Sequence, residues 1–444
     1  MLLRFVLKNT YSFKDQTEFN LFPSSKSERH SHHKVSCNGV NALRFSAIYG
    51  ANGAGKSNLI KAIANFKATI LSGGVIGAYV QPHKFQFSQD SLDEPVSMAI
   101  EFFHNGIIYY YTIEFDSNLV SYEYLAISEK DKDQLLFERK TNGTQSITFG
   151  PEYDADQKNN LFSSVLQDKL LNKGSLLLSF MAVNYPDEIP GIKEVYSWIK
   201  DKLLIVKPSD MYGTAVQMLD MNPEIKALAD KLLPEFGTGI TGIRVKKTFL
   251  NENQLGENSK TIIQALKANP GQVVWLPNAA DSRIAVSLVY ENGQLVQKEL
   301  QPSHSREDGS SVDLPLQFES DGSLRLIDYI PLIYLIMKDD YTIIIDEIER
   351  SLHPILVKEL MSRISENEKT KGQLVFTTHE SCLLDQQVFR PDEIWFTEKD
   401  STGASHMYPL SDFNIHRTAS IEHGYLIGRY GGIPFLSNLK DLNW

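Results

Sequence analysis

Cysteine is nearly missing from this chain: Cys37 and Cys382 are the only two among 444 residues. Two distant thiols make no disulfide framework, so the fold depends on its core, and a reducing cytoplasm is the expected setting. No apolar run reaches the roughly 20 residues that a membrane-spanning helix needs, so no membrane partner is expected. The start, Met1-Leu-Leu-Arg-Phe5, has neither the apolar core nor the cleavage site of a signal peptide. Positive charge is also short. Lys and Arg number 44 against 55 Asp and Glu, a net charge of −11. That balance works against broad non-specific binding to nucleic acid, which needs a basic surface. The short basic run Arg244-Val-Lys-Lys247 reads as a solvated strand edge. Sustained heptads are missing too, which excludes a long coiled coil, and there are no internal repeats or low-complexity tracts.

Apolar residues are plentiful, at 42% with 10% aromatic, enough for a large core and for more than one ordinary domain. Leu2 to Phe22 reads as two strands joined near Lys14-Asp15. Met98 to Phe103 and Ile107 to Phe115 form a hairpin about Asn105-Gly106, and further strands follow to Phe149. The middle changes character. Leu161 to Lys207 and Asn222 to Phe236 are helical in pattern, broken at Pro186, Pro190, Pro208 and Pro234. Gly239 to Leu250 is strand-like, Asn292-Gly293 marks another hairpin, and Ser303 to Ser311 reads as a polar loop. The spacing predicts three regions: 1–150 with an antiparallel β subdomain, a compact mainly helical insertion over 151–310, and 311–444. His30-Ser-His-His33 has no Cys or acid at ligand spacing and reads as a solvated loop.

The chemistry concentrates in a few short motifs. Gly50-Ala-Asn-Gly-Ala-Gly-Lys-Ser57 fits G-x-x-x-x-G-K-[ST], between an apolar strand-like run and a run with helical spacing. Gly50, Gly53 and Gly55 let backbone amides turn toward phosphates, with Asn52 and Ala54 completing the loop, and the helix that follows adds positive potential. Lys56 is placed to reach the β- and γ-phosphates of ATP, and the Ser57 hydroxyl to ligate Mg²⁺. Downstream, the β-branched run ending at Ile345 leads into Asp346 and Glu347. Two acids at a strand end suit a metal ligand (Asp346) and a general base that polarises water (Glu347). Gln373 to Thr377 is a second apolar strand, followed by His379, which can donate to a γ-phosphate. Ser320-Asp-Gly322 opens an apolar helical stretch, where a hydroxyl and amides face an anion. Pro331 is expected to kink or break that helix.

Taken together these motifs resemble the heads of ABC-type ATPases, shared by transporters, SMC proteins and DNA-repair ATPases. Ser320-Asp-Gly322 matches the Ser-x-Gly core of their signature, Ser351-Leu-His-Pro354 the loop after the Walker B strand, and His379 the switch histidine. The set is similar to the bacterial AAA ATPases of the OLD, RloA, PtuA and AriA kind. That likeness rests on Phe5 to Phe13, the Tyr49 to Ser57 loop, Asp346 to Pro354, and Gly428 to Pro434. It covers roughly residues 1–130 and 310–435. The resemblance implies an α/β ABC/SMC-type P-loop head with a mixed sheet, and ATP with Mg²⁺ as cofactors. It implies a homodimer or higher homo-oligomer in which Ser320 and Gly322 act on ATP held by the other subunit. A bacterial anti-phage role follows, with a separate nuclease or toxin as effector and DNA or a phage protein as trigger. The segment after His379 looks short for a C-terminal nuclease domain. An ATP-dependent scaffold with little turnover, a DNA-repair ATPase and a transporter subunit are the rival readings. The sequence departs from the pattern at Glu319, where transporters have Leu. It also lacks a clear glutamine-loop residue, for which Gln86 is a guess.

Overall fold

Phe45–Gly50 carries no charge and is buried at every position, as a strand covered on both faces must be. In the computed structural model it is β1, inside a six-stranded sheet. Its companions are β2 (Leu203–Val206), β3 (Thr342–Ile345), β4 (Gln373–Thr377), β5 (Ile394–Lys399) and β6 (Ser405–Pro409), in the order β2-β3-β4-β1-β5-β6. β3, β4, β1 and β5 run parallel, and β6 returns antiparallel on β5. The structure describes residues 1–25, 27, 29–75, 83–154, 157–208, 214–251, 260–269, 271–278, 281, 283–416 and 419–433.

The helix after the loop, α1 (Lys56–Leu71), buries Leu59, Ile60, Ile63, Phe66 and Ile70, one face at helical spacing. Phe66 meets Phe5 edge-on, with ring centroids 5.6 Å apart. Phe5 belongs to a seven-stranded antiparallel sheet, built in the order 144–149, 134–142, 119–127, 107–116, 96–104, 2–8 and 17–20. The hairpin expected at Asn105-Gly106 is present, and both residues are left-handed (φ 49° and 85°), as a two-residue turn that matches strand twist requires. One apolar core runs from this sheet through α1 to β1 and β4.

Two buried polar anchors tie distant segments together. The Gln373 side chain accepts from Leu2 N at 2.8 Å and donates to the carbonyls of Leu2 and Leu43 at 2.9 and 2.7 Å. Glu123 is fully buried and accepts from Leu177 N, Leu178 N and the Tyr111 hydroxyl at 2.7, 2.9 and 2.9 Å. It thereby fixes the start of the Leu177–Asn184 helix on the sheet. Burial pushes its carboxyl above the usual range, and the Arg139 guanidinium 3.5 Å away pulls the other way.

The chain divides into two compact units. One is Met1–Ile205 with Asp339–Ile348 and Met361–Trp444; the other is Val206–Lys338 with Glu349–Leu360. The second unit contains the helix Pro223–Glu235, capped by Asn222, whose side chain accepts from Glu224 N at 2.9 Å. It also holds a five-stranded antiparallel sheet in which 240–250, 294–305, 285–291 and 273–277 lie side by side, with 311–313 paired to 294–305. Some local expectations change. Leu203–Val206 is strand, not the end of a helix, because a four-residue apolar run fits either period and β3 offers it a partner. Ser303–Ser305 and Ser311–Asp313 pair as strands, where the polar composition suggested a loop. The helix α2 (Asp321–Lys338) continues through Pro331 without a break. Its apolar side chains Leu326, Ile327, Ile330 and Leu332 are buried on either side of the proline, and that packing outweighs one lost backbone hydrogen bond. Among the described residues no helix is long and apolar enough to cross a membrane.

Replacing Glu123 by Ala leaves Arg139 buried without its counter-charge and the Leu177 helix without its acceptor. The expected loss is about 3 kcal/mol or more of unfolding free energy, read from the urea midpoint at unchanged slope.

Candidate nucleotide-binding site

Parallel strands in register end at one edge, so the loops after β1, β3 and β4 meet there. These are the loops that carry Gly50–Ser57, Asp346-Glu347 and Thr378-His379. The Lys56 ammonium is buried and folds back over its own loop, donating to the carbonyls of Gly50 at 2.6 Å and Ala51 at 3.2 Å. It also lies 3.5 Å from His379 Nδ1. The Ser57 hydroxyl donates to Asp346 Oδ1 at 3.2 Å. Thus Lys56, Ser57, Asp346 and His379, drawn from three separate loops, converge on one spot, with Glu347 next in the chain.

The glycines have separate duties. A Cβ at Gly50 would strike the carbonyl of Thr397, the residue paired with it on β5. At Gly55, where φ is 122°, a Cβ would strike the Ser405 hydroxyl. Gly53 faces open space and is needed for its φ of 78°. Asn52 is exposed at the tip, while Ala54 is buried. The cradle suits phosphate, since amides can approach it without a side chain between. A hydroxyl beside a carboxylate also suits a hard divalent cation bound through oxygen.

Sequence reasoning missed three residues here. Thr377, fully buried, donates from Oγ1 to Asp346 Oδ1 at 2.6 Å and accepts from Glu347 N at 2.8 Å. The register of β3 on β4, Ile345 beside Phe376, sets Thr377 opposite Asp346. The signal was a hydroxyl residue at the end of an otherwise apolar strand. Glu347 itself has φ 53°, a left-handed conformation that a non-glycine residue rarely adopts, held by that threonine bond. The other two are Ser12 and Ser405. Ser405 Oγ donates to Ala54 O at 2.6 Å and is hydrogen-bonded with Ser12 Oγ at 2.7 Å, and Asn58 donates to Ser12 Oγ at 2.8 Å. Together they brace the last turn of the loop. Gln86, the guess for a glutamine loop, is exposed and donates from Nε2 to the Lys84 carbonyl at 2.8 Å.

In the second unit, Ser320 Oγ accepts from Ser323 N at 3.1 Å and caps α2. A Cβ at Gly322 would press on the carbonyl of Ser351, which explains the glycine between signature and Ser351-Leu-His-Pro loop. Glu319 is buried and hydrogen-bonds His304 Nε2 at 2.7 Å, a polar use of the position where the transporter signature has Leu. Asp321 pairs with Arg283, which is also held by Asp281.

A phosphate cradle, a hydroxyl–carboxylate pair and an acid beside it, at the carboxyl edge of a parallel sheet of this strand order, define a P-loop ATPase with the ABC/SMC-type α/β fold. The chain belongs to the family described as "AAA domain, putative AbiEii toxin, Type IV TA system", whose model matches residues 45–385. No curated protein matches it in sequence. Among solved structures it is similar to an Smc head bound to the C-terminal winged-helix domain of ScpA, at 13% identity and TM-score 0.40, covering 92% of this chain and 97% of that one. The SMC head domain from Thermotoga maritima gives 13% identity and TM-score 0.39, covering 93% and 99%. An Smc head with an extended coiled coil, bound to the C-terminal domain of ScpA derived from Pyrococcus furiosus, gives 12% and 0.40, covering 96% and 98%.

Thr377→Val keeps the shape of the strand end and removes the hydroxyl that orients both acids. ATP binding should persist, since the cradle and Lys56 are untouched, while steady-state turnover falls about 10- to 100-fold. Nucleotide titration and phosphate release, measured on the same preparation, check the two halves.

Proposed function

We propose that this protein binds ATP with Mg²⁺, closes head to head with a second copy around the nucleotide, and hydrolyses it slowly to control a separate effector. The observation that carries this reading is the convergence of Lys56, Ser57, Asp346 and His379 on one edge of the sheet. On this reading Lys56 exchanges the Gly50 and Ala51 carbonyls for the β- and γ-phosphates, and the amides of Gly53 to Ser57 hold the phosphate chain. Ser57 and Asp346 are the residues that would hold Mg²⁺, which would supply charge neutralisation at the phosphates. Glu347 takes a proton from the attacking water, and His379 donates to the γ-phosphate. Ser320 and Gly322 act on the nucleotide of the other copy. Their support is the anion-facing start of α2, and Phe318, 68% exposed and two residues from Ser320, fits a face that a second copy covers.

The resemblance to the OLD, RloA, PtuA and AriA group supports a cytoplasmic role in bacterial anti-phage defence. The effector would be a nuclease or toxin, and the trigger DNA or a phage protein. The net charge of −11 favours a local contact over wholesale binding of DNA.

Glu347→Gln keeps the size of the side chain and cannot accept a proton. Turnover should fall about 10²- to 10⁴-fold with ATP still bound, so closed dimers accumulate. Light scattering during size exclusion should show the mass double with ATP; an unchanged mass in a variant that binds ATP would refute nucleotide-controlled closure. Ser320→Arg and Lys56→Ala should each be inactive alone, and mixing them should restore activity through one whole composite site. Full activity in Ser320→Arg by itself would remove the signature from the reaction.

A further inference from the structure

The run His30-Ser-His-His33 reads from sequence as a solvated loop. In the structure it is a tight turn, and its three imidazoles lie against one another. His33 is fully buried, and His30 and His32 are half-buried. The His30 and His33 rings stack at 4.8 Å, and His32 meets His33 edge-on at 4.5 Å. One ring nitrogen from each of the three lies within 4.8 Å of the other two. His30 takes φ 48°, a left-handed conformation, and the turn so formed brings its ring back over the others.

Two further groups complete the arrangement. The Ser365 carbonyl oxygen is 2.8 Å from His32 Nε2 and 3.0 Å from His33 Nε2, so one main-chain oxygen sits between two imidazoles. On the far side of His33, both oxygens of the buried Glu393 face Nδ1, at 2.9 and 3.1 Å. A buried carboxyl group behind an imidazole fixes the orientation of the ring. This is the support that metal-binding histidines almost always have.

From this we propose a structural transition-metal site in which His30, His32 and His33 are the imidazole ligands, the Ser365 carbonyl is the oxygen ligand and Glu393 orients His33. Three imidazoles and one oxygen suit Zn²⁺ or a neighbouring first-row ion, and not Mg²⁺ or Ca²⁺, which take oxygen donors. Zinc bonds nitrogen at roughly 2.0–2.1 Å, so tetrahedral donors stand about 3.4 Å apart. The cluster is open by little more than an ångström, and His30, the hydrogen-bonded partner of the Gln386 carbonyl at 2.9 Å, is on the half-exposed side that can close. An ion here would stabilise the nucleotide strand from the end opposite its loop. His33 packs edge-on against Phe45, the first residue of β1, at 4.8 Å, and Ser46 Oγ donates to the Glu393 carbonyl at 3.1 Å. The site shares no residue with the nucleotide site, so its fate is independent of the ATPase assignment.

The test uses the full chain, stripped with a chelator, dialysed and titrated with Zn²⁺ alone. Calorimetry should give about one ion per chain, and thermal unfolding should move to higher temperature with Zn²⁺ and not with Mg²⁺. His30→Ala with His32→Ala removes two ligands at half-exposed positions and leaves the buried His33–Glu393 pair in place. In that variant affinity should weaken at least about 100-fold and the thermal shift should vanish, with the metal-free melting temperature near that of the parent. Cobalt substitution gives a second readout, since a tetrahedral imidazole site produces visible absorption bands that the variant should lose. Absence of Zn²⁺ binding by the parent chain overturns the proposal. So does equal binding by the double variant, which would place the ion elsewhere.

Discussion

The pairing of β1 on both sides is the constraint from which the rest follows. β1 is buried along its whole length and takes hydrogen bonds from β4 on one side and β5 on the other. Because those pairings are parallel and in register, the strands stop together, and three loops from distant parts of the chain are delivered to one place. Gly50 is the point of closest approach. Its missing side chain lets the β5 backbone come within bonding distance just where the loop departs. Asp346 and His379 are carried to each other by strand length, and Lys56 is brought to them by a loop that turns on Gly53 and Gly55. Glu347 sits one residue past the acid that faces Ser57, in a backbone conformation that costs free energy, and the Thr377 hydroxyl offsets that cost.

Much of this was legible in the chain. The loop Gly50–Ser57, the two acids and the histidine each announce themselves by residue type and spacing. The first strands and the hairpins at Asn105-Gly106 and Asn292-Gly293 are also readable, since turn chemistry is local. What was hidden is non-local. Ser12 and Ser405 are ordinary serines until the fold sets both against Ala54. Thr377 is one hydroxyl in an apolar strand until register puts it between two carboxyl-bearing residues. Leu203–Val206 could be read either way, because four apolar residues have no period to display and only the vacant flank of β3 decides the matter. The histidine turn was misread for the same reason. Glu393 and Ser365 lie more than 300 residues away in sequence, and no spacing rule reaches that far.

The second unit repeats the logic with a different vocabulary. Its strands pair antiparallel, Ser320 caps a helix start, and Gly322 there is required by a neighbouring carbonyl, as Gly50 is in the first unit. Both units rely on close backbone approach at a glycine. Glu319 and Arg283 then add polar ties around the signature, through His304 and through Asp321. Those ties hold the short segment before α2, in which Phe318 is exposed.

The strand order also bears on how such a chain is made. A ribosome delivers β1 and α1 early, yet both neighbours of β1 come from residues beyond 372. Gln373, which binds the backbone of Leu2 and Leu43, arrives equally late. Until those residues emerge the phosphate loop hangs from a strand with two open edges, the state in which parallel sheets are slowest to form and most exposed to mispairing. The early antiparallel hairpins are local and can form first, so they are the natural shelter for α1 until the residues beyond 372 emerge. Nucleotide cannot be gripped before then. Competence for nucleotide therefore waits on strands that follow the loop by more than 300 residues.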